Sequence, residues 1–190
     1  GLVKAMQRDE VGDGVRVDWS VAGSPDIAVS RLLSGEADLV TLPTNVAAQL
    51  YNRGADVAVA GTTLWGVMYL LGPDGGPDSC EELEGETVYT LDRGATPDVL
   101  FRYLLSQHGV DPESDLTIDY SYGHVELAQL AASGQVRLAV LPEPFVTQVT
   151  LRNPEMRVLI DFQESWKRVT ESDTSYPQTL FVARRSVATE

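Results

Sequence analysis

The chain has 190 residues, 43% of them hydrophobic, enough to bury a core as one domain or as two small lobes. A formal net charge of −14, with lysine only at Lys4 and Lys167, excludes a nucleic-acid binder, which needs clustered Lys and Arg. No apolar run is long enough to span a bilayer, since the longest, residues 57–71, is interrupted by Gly61, Thr62, Thr63 and Gly66.

A helical pattern covers residues 2–8, and the β-branched and aromatic run at 15–21 predicts a strand. Ser24-Pro25 supplies an N-cap and first turn for a helix over 26–33, with Ile27, Leu32 and Leu33 near helical spacing; Gly35 stops it. A buried strand at 38–42, Pro43 and a helix over 45–52 follow, then one long extended run at 55–71 and the turn-rich 72–77. Next come a strand at 86–91, a helix over 96–108, a strand at 116–120 and a helix over 125–132 that ends at Ser133-Gly134. A strand at 138–141, a helix over 145–152 and strands at 157–162 and 179–184 complete the order.

The chain repeats itself at a spacing of about one hundred residues. LLSGEADLVTLPTNVAAQLYNR, from Leu32, aligns without gaps on AASGQVRLAVLPEPFVTQVTLR, from Ala131. Ser34-Gly35 falls on Ser133-Gly134, Leu42-Pro43 on Leu141-Pro142, Gln49 on Gln148 and Arg53 on Arg152. Strand–helix–strand–helix twice over implies two parallel-sheet units. Because the second copy opens with an extra strand and helix, a strand and its loop are expected ahead of Gly1. Extended stretches on both sides of the second copy suit two crossings between lobes. Residues 1–66 with 162–190 are expected to form lobe I and residues 67–161 an inserted lobe II.

In open α/β sheets ligands sit beyond the carboxyl ends of the strands, where helix N-termini present free amides. In the first copy that rule selects Ser24, Pro43, Thr44, Asn45, Thr62 and Thr63; in the second it selects Arg93, Gly94, Ala95, Thr96, Tyr122 and Glu143. Gly94 permits close backbone approach, Thr96 can cap the following helix, and Pro97 suits its first turn; an ordinary helix start reads the same way. Arg93 can grip an anion with a bidentate fork, or be a solvated surface arginine. Tyr122 can stack on a planar ligand or pack. Helix N-termini favour an anionic ligand, whereas Asp26, Asp92, Asp98 and Glu143 near the same loops favour a cationic one; both remain open.

Catalytic parts are scarce. Two histidines, His108 and His124, and the lone Cys80 cannot build a zinc site, and Cys80 excludes an intrachain disulfide. No nucleophile elbow or dinucleotide fingerprint occurs. Glu143 can act as an acid or base, or sit as a helix-start carboxylate.

The segments S-G-E-A-D-L-V-T-L-P, A-D-V-A-V-A-G-T-T, L-E-G-E-T-V-Y with G-A-T-P-D-V-L-F-R-Y-L-L, and Y-P-Q-T-L-F-V-A-R, in that order, resemble the periplasmic binding proteins of the nitrate/sulfonate/taurine and thiamine-precursor transporters. The resemblance spans nearly the whole chain. It implies a type II periplasmic-binding-protein fold of two α/β lobes joined by two crossing segments, with part of lobe I expected beyond both ends. It also implies a monomer that clamps a small solute outside the cytoplasm, without cofactor, and hands it to a membrane permease. An enzyme on the same fold and the sensor half of a transcription regulator are the other readings.

Overall fold

In a computed structural model the structure describes residues 17–188. The predicted helix at 2–8 and the first two residues of the predicted strand at 15–21 lie outside that range. Residues 17–21 are not a strand, because neither described sheet gives them a neighbour to bond.

Helix α1 (Pro25–Ser34) starts where Ser24 Oγ accepts from Ile27 N at 3.4 Å, and it ends at Gly35, whose φ of 79° is left-handed. It buries Ala28 and Leu32, while Ile27 and Leu33 stay exposed. Strand β1 (Leu39–Pro43) and helix α2 (Thr44–Asn52) come next. The long extended run is two strands, β2 (Val57–Trp65) and β3 (Met68–Pro73), parted at Gly66-Val67. Gly66 is required there: a Cβ would lie 2.5 Å from the Tyr176 ring, and its N–H donates to Tyr176 O at 2.9 Å.

After a single 3₁₀ turn (Glu81–Leu83) come β4 (Thr87–Tyr89), α3 (Thr96–Gln107), β5 (Thr117–Asp119) and α4 (His124–Ala132). They are followed by β6 (Ala139–Pro142), α5 (Phe145–Arg152) and β7 (Met156–Asp161). Helix α6 (Phe162–Thr170) stands where the sequence reading ran a strand to Phe162 and left the rest unassigned. Its start is set by Asp161, whose carboxylate accepts from Gln163 N and Glu164 N. Strand β8 (Pro177–Arg184) and the short α7 (Arg185–Ala188) close the described chain.

The strands form two sheets, ordered β1-β8-β2 and β5-β4-β6-β3-β7. In the larger sheet β4 pairs parallel with β5 and β6, as expected, while β3 lies antiparallel between β6 and β7. In the smaller sheet every described pair is antiparallel, against the expectation of a second parallel unit, because β8 inserts between the like-directed β1 and β2. The two arrangements match. The unit α1-β1-α2-β2 takes β8 between its strands, and the unit α4-β6-α5-β7 takes β3. Leu42 faces Leu180 and Val57 faces Arg184; at the corresponding positions Leu141 faces Tyr69 and Met156 faces Pro73. Each unit is therefore completed by the strand that follows the other.

Side chains on successive strand residues point to opposite faces, so a sheet covered on both sides buries all of them. Leu70 and Val140 enter one core with Phe101, Leu104 and Phe162, while Leu71, Ala139 and Leu141 enter another with Leu127 and Val149. The smaller sheet shares a third core with α1 and α2, built from Leu32, Leu42, Leu50, Leu180 and Val182. Helix α6 packs on the larger sheet, with Phe162 stacked on Phe101 at 5.5 Å between ring centroids. Residues 162–170 therefore pack on the larger sheet through Phe162, Trp166 and Val169.

Candidate functional site

The loops after β1 and β4 belong to different sheets, and they meet. Asn45, in the first turn of α2, donates from Nδ2 to Gly94 O at 2.8 Å and accepts from Thr96 Oγ1 on Oδ1 at 2.9 Å. One amide side chain thereby joins the N-terminal ends of α2 and α3 across the gap between the sheets. Thr44 beside it donates from Oγ1 to Pro177 O at 2.7 Å, tying α2 to the start of β8. Pro43 faces Thr179 in the sheet, and the Thr63 and Thr179 hydroxyls are 2.6 Å apart, so Pro43, Thr44 and Thr63 lie at the same end of the sheet, with Thr62 beside Thr63.

Thr96 does not cap α3. The N-cap is Ala95, and the Thr96 hydroxyl is turned away to Asn45. The loop is held from below: Gly94 N donates to Asp98 Oδ2 at 2.7 Å, and Asp98 Oδ1 accepts from Arg102 Nε at 2.8 Å and Tyr120 OH at 2.5 Å. Asp98 is 3% exposed, a depth at which a carboxylate needs this compensation. Burial, followed by the adjoining Asp98 carboxylate, pushes the Tyr120 phenol up to about 12, so it stays a donor. The Arg93 guanidinium lies over the Tyr120 ring, 5.6 Å from its centroid.

Three other candidates make contacts of their own. Ser24 is engaged as the cap of α1. Tyr122 packs, half-buried, on Tyr89 at 5.6 Å between centroids, against the core beneath α4. Glu143 accepts from Thr147 N at 3.2 Å and from Thr147 Oγ1 at 2.9 Å, so its carboxylate caps α5. The four acidic side chains that spoke for a cationic ligand thus divide. Asp98 and Glu143 are satisfied internally, Asp92 lies 3.6 Å from His124 Nε2, and Asp26 sits in the first turn of α1.

Arg102 was not singled out from the sequence, although its spacing from Asp98 is the one that brings helix side chains together. Among the described residues no group of His, Cys, Asp and Glu is placed to hold a metal ion.

Two sheets that exchange a strand each, with helix N-termini converging between them, define a binding protein of the periplasmic α/β type. The chain belongs to the family described as "ABC transporter, phosphonate, periplasmic substrate-binding protein", whose model matches residues 2–190. It is similar to the putative binding protein YtlA of Bacillus subtilis, 24% identical over 136 residues that cover 70% of this chain and 41% of that protein. A crystal structure of an ABC transporter from Parabacteroides distasonis matches with a TM-score of 0.78 and 27% identity, over 99% of this chain and 62% of that one. The periplasmic aliphatic sulphonate binding protein SsuA of Escherichia coli matches in fold, with a TM-score of 0.66 and 20% identity, over 87% of this chain and 53% of that one. The chain thus spans between two-fifths and about three-fifths of the length of these relatives.

Proposed function

We propose that this protein is the solute-binding component of an ATP-driven uptake transporter. It works outside the cytoplasm as a monomer and delivers a small anion with a tetrahedral phosphonate or sulfonate head to a membrane permease. In this reading the two sheets are the cores of two lobes, connected through Gly66-Val67 and through residues 171–176, and the ligand is enclosed between them. Pro43, Thr44, Asn45, Thr62 and Thr63 line one wall, and Arg93, Gly94, Ala95 and Thr96 the other. The observation that carries the reading is the Asn45 bridge to Gly94 and Thr96, which brings two helix N-termini to one place. Helix N-termini and Arg93 favour negative charge, and the internal bonding of Asp98 and Glu143 removes two carboxylates that would oppose it.

Calorimetry and thermal unfolding with methylphosphonate, ethanesulfonate, phosphate and a neutral amide test this directly. At a hundredfold excess over Kd, a bound anion is expected to stabilise the fold by about 2.7 kcal/mol, with no shift from the amide. A shift from cationic amines alone would overturn the anionic assignment.

A further inference from the structure

Strands β4 and β5 run parallel with Tyr89 beside Asp119, and Thr90 N donates to Asp119 O at 2.8 Å. The loops that leave them therefore start side by side, which lays Tyr120 beneath residues 92–96. Tyr120 is engaged at both ends. Its ring carries the Arg93 guanidinium, and its hydroxyl donates to the same Asp98 carboxylate that receives Gly94 N. Arg102, with Nη2 3.0 Å from the Tyr120 oxygen, balances the Asp98 charge. Arg93 has no ion pair with a carboxylate among the described residues, although the chain carries 28 acidic residues. In a chain this acidic, an arginine placed on a tyrosine face and kept off every described carboxylate retains its charge for a ligand.

We propose that Tyr120 is the positioning residue of the ligand loop. It aims Arg93 with its ring and, through Asp98, sets the backbone of Gly94, so that cation and loop meet the anion together. The proposal rests on the anion-binding reading for its functional consequence, but not for its geometry.

The decisive experiment is a double-mutant cycle read by methylphosphonate calorimetry on Tyr120→Phe, Tyr120→Leu, Arg93→Gln and the Phe/Gln and Leu/Gln double variants. Tyr120→Phe keeps the ring and loses only the hydroxyl, whereas Tyr120→Leu loses both. Removing the ring is expected to weaken binding about two- to fivefold beyond the Phe variant, the scale of an exposed cation–π contact. In the Arg93→Gln background that extra loss should vanish. The same extra loss with Arg93 absent would overturn the proposal, since Tyr120 would then act through general packing.

A second readout needs no ligand. The Arg93 Nε–H resonance is expected upfield in the wild type and in Tyr120→Phe, and at its ordinary position in Tyr120→Leu. An ordinary position in the wild type overturns the proposal. If no anion binds but the resonance behaves as expected, the anion-binding reading fails while the positioning geometry stands.

Discussion

The two duplicated units share a plan and differ where it matters. Gly35 and Gly134 stop the equivalent helices α1 and α4 with φ of 79° and 74°, and β1 and β6 are the equivalent strands that follow. At the next two positions the copies part. Thr44-Asn45 opens α2, whereas Glu143-Pro144 precedes α5 as a turn. Asn45 faces outward to bond the other unit, while Glu143 folds back on its own helix and accepts from one amide near its start, Thr147 N. One copy therefore keeps a helix N-terminus for a partner and the other closes its own with a carboxylate. Duplication supplied two equivalent helix starts, and short polar substitutions made them unequal.

Their cores differ as well. The larger sheet is covered on both faces, whereas the smaller has α1 and α2, with an apolar groove between α2 and the β2–β8 edge lined by Tyr51, Val59 and Val182. Phe101→Ala should break the larger core at a cost of about 3–5 kcal/mol, and Leu42→Ala the smaller at about 2–3 kcal/mol, both measured by urea unfolding. Cys80 reports on the larger core alone. It is 2% exposed, and burial pushes its thiol up to about 11, so thiol reagents at pH 8 should react slowly with the native protein. Phe101→Ala should accelerate labelling and Leu42→Ala should not. Equal acceleration by both would mean that the two sheets open as one unit.

The crossing between the units is the next place to press. Gly66→Ala forces a methyl against the Tyr176 ring and the Ser175 hydroxyl, at 2.5 and 2.8 Å, and is expected to cost about 1–3 kcal/mol. Gly61→Ala, with nothing within 4 Å of its added carbon, serves as the neighbouring control in the same melting experiment. An equal loss at both positions would remove the special role of the crossing.

Asn45→Ala deletes two bonds between the units and should weaken their contact by about 1–2 kcal/mol. The expected observation is a larger radius of gyration in solution scattering than the wild type gives. The smallest effect belongs to Glu143→Ala, which uncaps α5 at about 1 kcal/mol and leaves anion affinity unchanged or raised. A loss of anion affinity there would show that Glu143, and not Asn45, marks the working end.

Much of this was legible in the chain itself. Serine-glycine stops, proline starts and runs of β-branched residues act within a few positions, so the duplicated element order and most boundaries followed from local chemistry. The family resemblance followed from the same segments, and Ser24, as the cap of α1, is such a local reading. Local signals also misled: Thr96 looks like a cap, and 55–71 looks like one strand. Helix α6 was readable in principle, from Asp161 as its cap and Phe162, Trp166 and Val169 at helical spacing, but the neighbouring strand masked it.

What the tertiary structure alone decided is pairing between residues far apart in the chain. Which strand inserts between β1 and β2 depends on β8, more than one hundred residues downstream, and no local pattern encodes that partner. The same holds for Asn45 with Gly94, and for Arg93 with Tyr120. Composition and periodicity determine which elements form and which faces must be buried. The charge and direction of a site depend on which buried polar groups find each other, and that is settled only when the sheets come together.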